Sequence, residues 1–159
     1  MKTDVVRLVT FRLADGWFAA DILCVERVIR YAPPGGVPDV PAWIEGVLDY
    51  RGRPIPVVDL RRRIELPAAR RGPETRILVL DTSAGWVGAI VDRVLEIAVV
   101  PASSVTPPPE LFRGFRAEFV RGIARVGEQL AVVLDVDRVL TSTERIAFDE
   151  ALAEAAEGA

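Results

Sequence analysis

The feature that most constrains this chain is that it repeats itself. Gly16-Trp17-Phe18-Ala19-Ala20-Asp21-Ile22, then Val25 and Val28, matches Gly85-Trp86-Val87-Gly88-Ala89-Ile90-Val91, then Val94 and Ile97, at an offset of 69 residues. A second block comes at an offset of 76, where Trp43-Ile44-Glu45-Gly46-Val47 meets Phe119-Val120-Arg121-Gly122-Ile123. Within it Val57-Val58-Asp59-Leu60 meets Val133-Leu134-Asp135-Val136 without a gap. The seven extra residues of the second copy fall in the Pro-rich stretch Pro101 to Pro109. A unit of about 70 residues buries only a modest core, so two copies are expected to share an apolar interface. A groove between them is the natural place to receive a partner.

The texture within each copy is that of short β-prone runs broken by Gly and Pro. They are Val5 to Leu13, Trp17 to Ile22, Val25 to Arg30, Gly46 to Tyr50 and Ile55 to Leu60, and then Arg76 to Leu80, Trp86 to Val91, Val94 to Val100, Phe119 to Val126 and Leu130 to Asp135. Asp15-Gly16 and Ala84-Gly85 read as hairpin turns, and Arg51-Gly52 and Gly127-Glu128 as turns of the same kind. The pattern predicts a mainly β fold in which residues 5–66 form one subdomain and residues 75–140 the other, joined near Leu66 to Glu74. Only the end reads as helix, over about residues 142–156, where Thr141 and Glu144 have the spacing of a capping box.

Composition removes much chemistry. Histidine is absent, Cys24 is the only cysteine and Lys2 the only lysine among 20 basic residues. That excludes Ser-His-Asp and Cys-His relays, a His-bearing zinc site, an internal disulfide and a P-loop or Schiff-base lysine. No cofactor, metal or catalytic residue is expected, and the balance leans towards binding. The net charge of −3 belongs to residues 144–159, which hold five acids and one Arg, while the body is near neutral. No apolar run approaches the roughly 18 residues that span a bilayer, and no signal peptide is expected, so the cytoplasm is the expected compartment.

Several runs carry a resemblance. Trp17-Phe18-Ala19-Ala20-Asp21-Ile22-Leu23-Cys24-Val25, Val37 to Gly46 ending Pro41-Ala42-Trp43-Ile44-Glu45-Gly46, Asp49-Tyr50-Arg51-Gly52 and Pro56-Val57-Val58-Asp59-Leu60-Arg61 resemble the CheW-like coupling proteins of bacterial chemotaxis. Val87 to Asp92, and Arg121-Gly122-Ile123 with Leu130 to Val136 after it, look like that family's second subdomain. The resemblance implies a non-enzymatic adaptor of two SH3-like five-stranded β-barrels packed together, with short helical turns and a C-terminal helix. Its implied partners are the regulatory domain of the chemotaxis histidine kinase and the cytoplasmic tip of a chemoreceptor. Recruitment to membrane receptor arrays would pass through those partners, with no direct membrane insertion.

By position in the family pattern, Val25, Val28 and Arg51 face the receptor, and Val37, Val40, Trp43 and Tyr50 face the kinase. Arg51 stands where a turn requires Gly52 but does not require Arg, which favours a binding role. Asp49 and Tyr50 replace a family Asn and Leu, which leaves partner specificity open, and Arg27 stands where the family commonly has an acid, so the family's receptor salt bridge is not carried over to it. Gly46, Gly122 and Gly52 read as structural, as do Asp59 and Asp135, which end strands and cap the next turn of chain. An alternative reading is an Arg-dependent nucleic-acid binder, since residues 61–76 hold six Arg against two Glu. That segment has no interleaved aromatics, so the expectation is a solvated connector and no nucleic acid.

Overall fold

The computed structural model describes residues 4–67, 70–108 and 118–157. Pro109, at the end of the expected insertion, and residues 68–69 of the connector lie outside them. The chain is mainly β as expected. The strands are β1 (Val5–Leu13), β2 (Gly16–Asp21), β3 (Val25–Arg30), β4 (Ile44–Tyr50), β5 (Arg53–Asp59), β6 (Arg76–Thr82), β7 (Gly85–Val91), β8 (Arg93–Pro101), β9 (Val105–Thr106), β10 (Val120–Val126) and β11 (Gln129–Leu134). Helix α1 (Leu60–Arg63) is one turn, and α2 (Ser142–Glu157) closes the chain.

These strands make two sheets, one in the order β8-β1-β2-β11-β10-β9 and the other in the order β3-β6-β7-β5-β4. Under the two sequence offsets β1 corresponds to β6, β2 to β7, β3 to β8, β4 to β10 and β5 to β11. Substituting each strand by its counterpart turns the first sheet, without β9, into the second. The correspondence holds to single residues. Val9 pairs with Ile97 as Leu78 pairs with Val28, and the parallel contact Val133–Ala19 repeats as Val57–Gly88. Even the bulges recur, between Ile44 and Gly46 on β4 and between Val120 and Gly122 on β10.

The spatial units are not the contiguous halves expected from residues 5–66 and 75–140. With β9 set aside, each sheet takes a hairpin from one half and three strands from the other: β3 leaves β2 through the turn Ile22–Cys24 and pairs with β6, while β8 crosses back to β1. A repeat identifies which strands are equivalent, and pairing is then decided by which edge buries them. Val25 and Val28 of β3 lie opposite Leu80 and Leu78, which belong to the core between the sheets. The first hairpin also differs from expectation. Its left-handed residue is Ala14 at φ 55°, not Gly16, and the Ala14 N–H donates to Asp92 Oδ2 at 2.7 Å.

Three layers of apolar side chains hold the fold. Between the sheets lie Phe11, Leu13, Val58, Leu60, Leu78, Leu80, Val91, Leu134 and Leu140, drawn from both halves. Behind one sheet pack Leu8, Ala98, Val100, Ala124 and Val133, and behind the other Tyr50, Ile55, Val79, Val57, Ile77 and Ile90. This is the shared interface that two small units need. The expected capping box is formed: Thr141 N–H donates to Glu144 Oε1 at 2.9 Å and Glu144 N–H to Thr141 Oγ1 at 3.2 Å. Helix α2 then buries Phe148 completely in the layer between the sheets.

Candidate functional site

The β4–β5 turn is built by backbone geometry. Arg51 and Gly52 have φ of 50° and 78°, the signs of a type I′ hairpin. A non-Gly residue in that region costs about 1 kcal/mol or more, so Arg51 is held where glycine or asparagine would sit more easily. Its guanidinium reaches β3, with Nη1 at 3.2 Å from Glu26 Oε1. This contact brings three residues that lie apart in sequence to one edge: Arg51 on the turn, and Val25 and Val28 on β3. Val28 is 40% exposed, while Val25 is partly buried against the core between the sheets.

Leu23 belongs to the same edge, and the sequence does not single it out. It precedes Val25 by two residues, is 87% exposed, and its N–H is held by Asp21 Oδ1 at 3.0 Å. In sequence it is indistinguishable from the apolar strand residues around it. Only the turn between two sheets turns it outward. The Glu26–Arg51 pair is equally out of reach of sequence, because it depends on the second sheet curling back on itself.

Tyr50 does not join this surface. It is 6% exposed, and its ring stands edge-on to Trp86 at 5.1 Å with the Arg51 guanidinium 5.4 Å above it. The expected kinase-facing role is corrected on that ground: strand alternation aims position 50 into the barrel while Arg51 and Gly52 make the turn. Arg53 lies 5.3 Å over the other aromatic, Trp86, so two guanidiniums flank the pair of rings. Val37, Val40 and Trp43 are partly buried and pack on the core between the sheets.

Trp43 is covered on one face. The Arg63 guanidinium lies 4.2 Å from its ring centre and 5.0 Å from that of Phe119, the residue at the matching place in the second copy. Arg63 also donates to Val139 O at 3.1 Å and to Glu144 Oε1 at 2.8 Å. One side chain thus ties both halves to α2. Neither its sandwiching nor its partners have a sequence signal.

The structural assignments have a concrete basis. A Cβ on Gly46, whose φ is +153°, would stand 1.9 Å from Gly35 O, because residue 35 bridges to Val47. A Cβ on Gly122 would stand 2.7 Å from Thr106 O, where β9 runs beside β10. Asp59 and Asp135 each accept a backbone N–H two residues on, from Arg61 at 3.0 Å and from Asp137 at 3.2 Å. The basic segment is engaged within the molecule: Arg61 pairs with Asp92, Arg63 with Glu144, and Arg71 with Asp59 and Glu45. Phosphate contacts would have to break these pairs. The Cys24 thiol is pushed up by burial and then by Asp21 and Asp137, so it stays protonated at neutral pH.

The arrangement is that of a docking module: two interlocked sheets, and an edge where apolar side chains and one charged hairpin meet solvent. A family model for the CheW-like domain matches residues 7–144. The chemotaxis protein CheW of Treponema pallidum is 30% identical over 148 residues, covering 91% of this chain and 87% of the relative. Protein FrzA of Myxococcus xanthus is 34% identical over 125 residues, covering 78% of each. The crystal structure of the scaffolding protein TtCheW from Thermoanaerobacter tengcongensis superposes with a TM-score of 0.80 at 27% identity, covering 88% of this chain and 90% of that one. This chain belongs to the CheW-like family of chemotaxis scaffold and adaptor proteins. Among the described residues no helix is long and apolar enough to cross a membrane.

Proposed function

We propose that this protein couples chemoreceptors to the chemotaxis histidine kinase without catalysing a reaction itself. The observation that carries the reading is the gathering of Arg51, Glu26, Val25 and Val28 at one edge. A receptor helix laid along β3 would desolvate Val28 and Leu23, and Arg51 would fix its register. The kinase regulatory domain would meet the segment of Val37, Val40 and Trp43, on the side of the bridge between Gly35 and Val47. Recruitment to receptor arrays would come from these contacts, with the protein itself in the cytoplasm.

The test is association of the full chain with the kinase regulatory domain and with a receptor-tip fragment, measured by calorimetry. Both are expected to bind at tens of micromolar or tighter, and no association with either defeats the proposal. Arg51→Glu is expected to weaken receptor binding at least tenfold while the thermal transition stays put. Unchanged affinity for both partners would remove Arg51 from the site.

A further inference from the structure

The equivalence of the two halves breaks at the aspartates at the ends of β5 and β11, Asp59 and Asp135. Asp59 and Asp135 are counterparts in backbone detail: the Asp59 N–H donates to Trp43 O and the Asp135 N–H to Phe119 O, each at 2.8 Å. In the first half the outer carboxylate oxygen is occupied. Asp59 Oδ2 accepts from Arg71 Nη2 at 2.9 Å, and the same guanidinium reaches Glu45 at 3.3 Å and lies 5.5 Å over the Tyr31 ring. In the second half, among the described residues, Asp135 Oδ2 has no hydrogen bond or ion pair.

Among the described residues the chain enters the two sheets differently. Before β6 the turn Gly72–Thr75, closed by Thr75 N–H to Gly72 O at 3.1 Å, delivers Arg71 across Asp59. Before β1 the described residues, from Asp4 on, already run beside β8. Val5 pairs with Pro101, and Asp4 O accepts from the Ala102 N–H at 3.0 Å. The path that brings a guanidinium to Asp59 therefore has no equivalent, among the described residues, on the way to Asp135.

What stands at Asp135 is an open hollow of about 240 Å³, lined by Asp21, Cys24, Arg121, Asp135 and Asp137, with Leu134 and Val136 as apolar walls. Three carboxylates face one guanidinium. Arg121 meets Asp21 at 3.8 Å and is 62% exposed, a pair that contributes little in water. Asp21 and Asp137 each have one oxygen engaged by a backbone N–H, from Leu23 at 3.0 Å and Ser83 at 2.8 Å. The Cys24 thiol on the wall of the hollow is pushed up first by burial, and then by Asp21 and Asp137 against Arg121.

We propose that this hollow receives an arginine side chain from a partner polypeptide, with Asp135 Oδ2 as its principal acceptor, as Asp59 receives Arg71 within the chain. A guanidinium suits it better than an ammonium. Its planar fork can bridge Asp135 to a neighbouring carboxylate while its methylene stem lies on Leu134 and Val136. The site stands whichever partner carries the arginine.

The test titrates the full-length protein with capped Ala-Arg-Ala peptide, its Gln analogue and n-butylguanidinium, tracking amide shifts at Cys24 and Asp135 to Asp137. The arginine peptide is expected to give saturable shifts there, at least fivefold tighter than the Gln peptide. Asp135→Asn, which keeps the capping oxygen, and Asp21→Asn, which does the same for its turn, are each expected to weaken it at least threefold. Lys2→Ala should leave it unchanged. Equal affinity for the Gln peptide, or full affinity in both Asn variants, would overturn the site. Binding of n-butylguanidinium without the peptide would show a small-cation site and overturn the assigned occupant, and tightening by Lys2→Ala would show that the chain's own Lys2 competes for it and overturn the assignment to a partner.

Discussion

Gly46 concentrates the physics of single residues in this fold. Its φ of +153° and the approach of Gly35 O to 1.9 Å from any added Cβ leave no room for a side chain. Gly46→Ala is expected to cost about 3 kcal/mol or more, measured by urea denaturation. Gly36→Ala, where nothing lies within 4 Å, should be close to neutral. Arg63 is the other residue whose removal reports on the design. Arg63→Ala strips the cation from Trp43 and Phe119 and leaves Glu144 without its pair, with an expected loss of about 2–3 kcal/mol. Trp43 fluorescence should change with it. Both bulge glycines of the repeat and both aspartates can be read from the sequence, because glycine at a bulge and aspartate at a cap are local requirements. Arg63 cannot, because cation–aromatic stacking joins residues whose separation in sequence says nothing of their separation in space.

At the scale of elements, α2 shows how far local rules reach. The Thr141–Glu144 spacing predicts its start, and the reciprocal hydrogen bonds are present. Thr141→Ala is expected to cost about 1 kcal/mol and to fray the first turn, visible as faster amide exchange at residues 142–145. What the helix is for is a tertiary matter: Phe148 is fully buried and Arg145 Nη1 donates to Trp86 O at 2.8 Å. Phe148→Ala is therefore expected to cost about 3–5 kcal/mol, several times the cap, in the same denaturation experiment. The longer strands are legible from their alternation and turn residues. The two-residue β9 is not, since so short a run has no periodicity.

For the whole molecule the decisive fact is that neither sheet is made from one half of the chain. Cutting the connector near residue 68 would leave one fragment with β1 to β5 and another with β6 to β11, each holding strands of both sheets. Each fragment alone is expected to be unfolded by circular dichroism, and the two mixed should recover the native spectrum. A fragment that folds alone would show that its contiguous half is a sufficient unit. For the same reason the intact chain should unfold in one cooperative transition with coincident fluorescence and circular dichroism signals.

Sequence alone determined the duplication, the β texture, the equivalence of strands, the caps, the bulge glycines and the absence of histidine chemistry. Each of these rests on interactions between residues a few positions apart or on pattern matching between copies. Tertiary structure alone decided that the copies exchange strands, that Tyr50 is buried while Leu23 is exposed, that Arg51 meets Glu26, and that Arg71 meets Asp59 while Asp135 Oδ2 has no such partner among the described residues. Those outcomes depend on which apolar faces are buried together across the chain. Two equivalent strands present the same pattern to either sheet, so periodicity cannot choose between them. The core between the sheets makes that choice, packing Val25 against itself as β3 pairs beside Leu80 and Leu78.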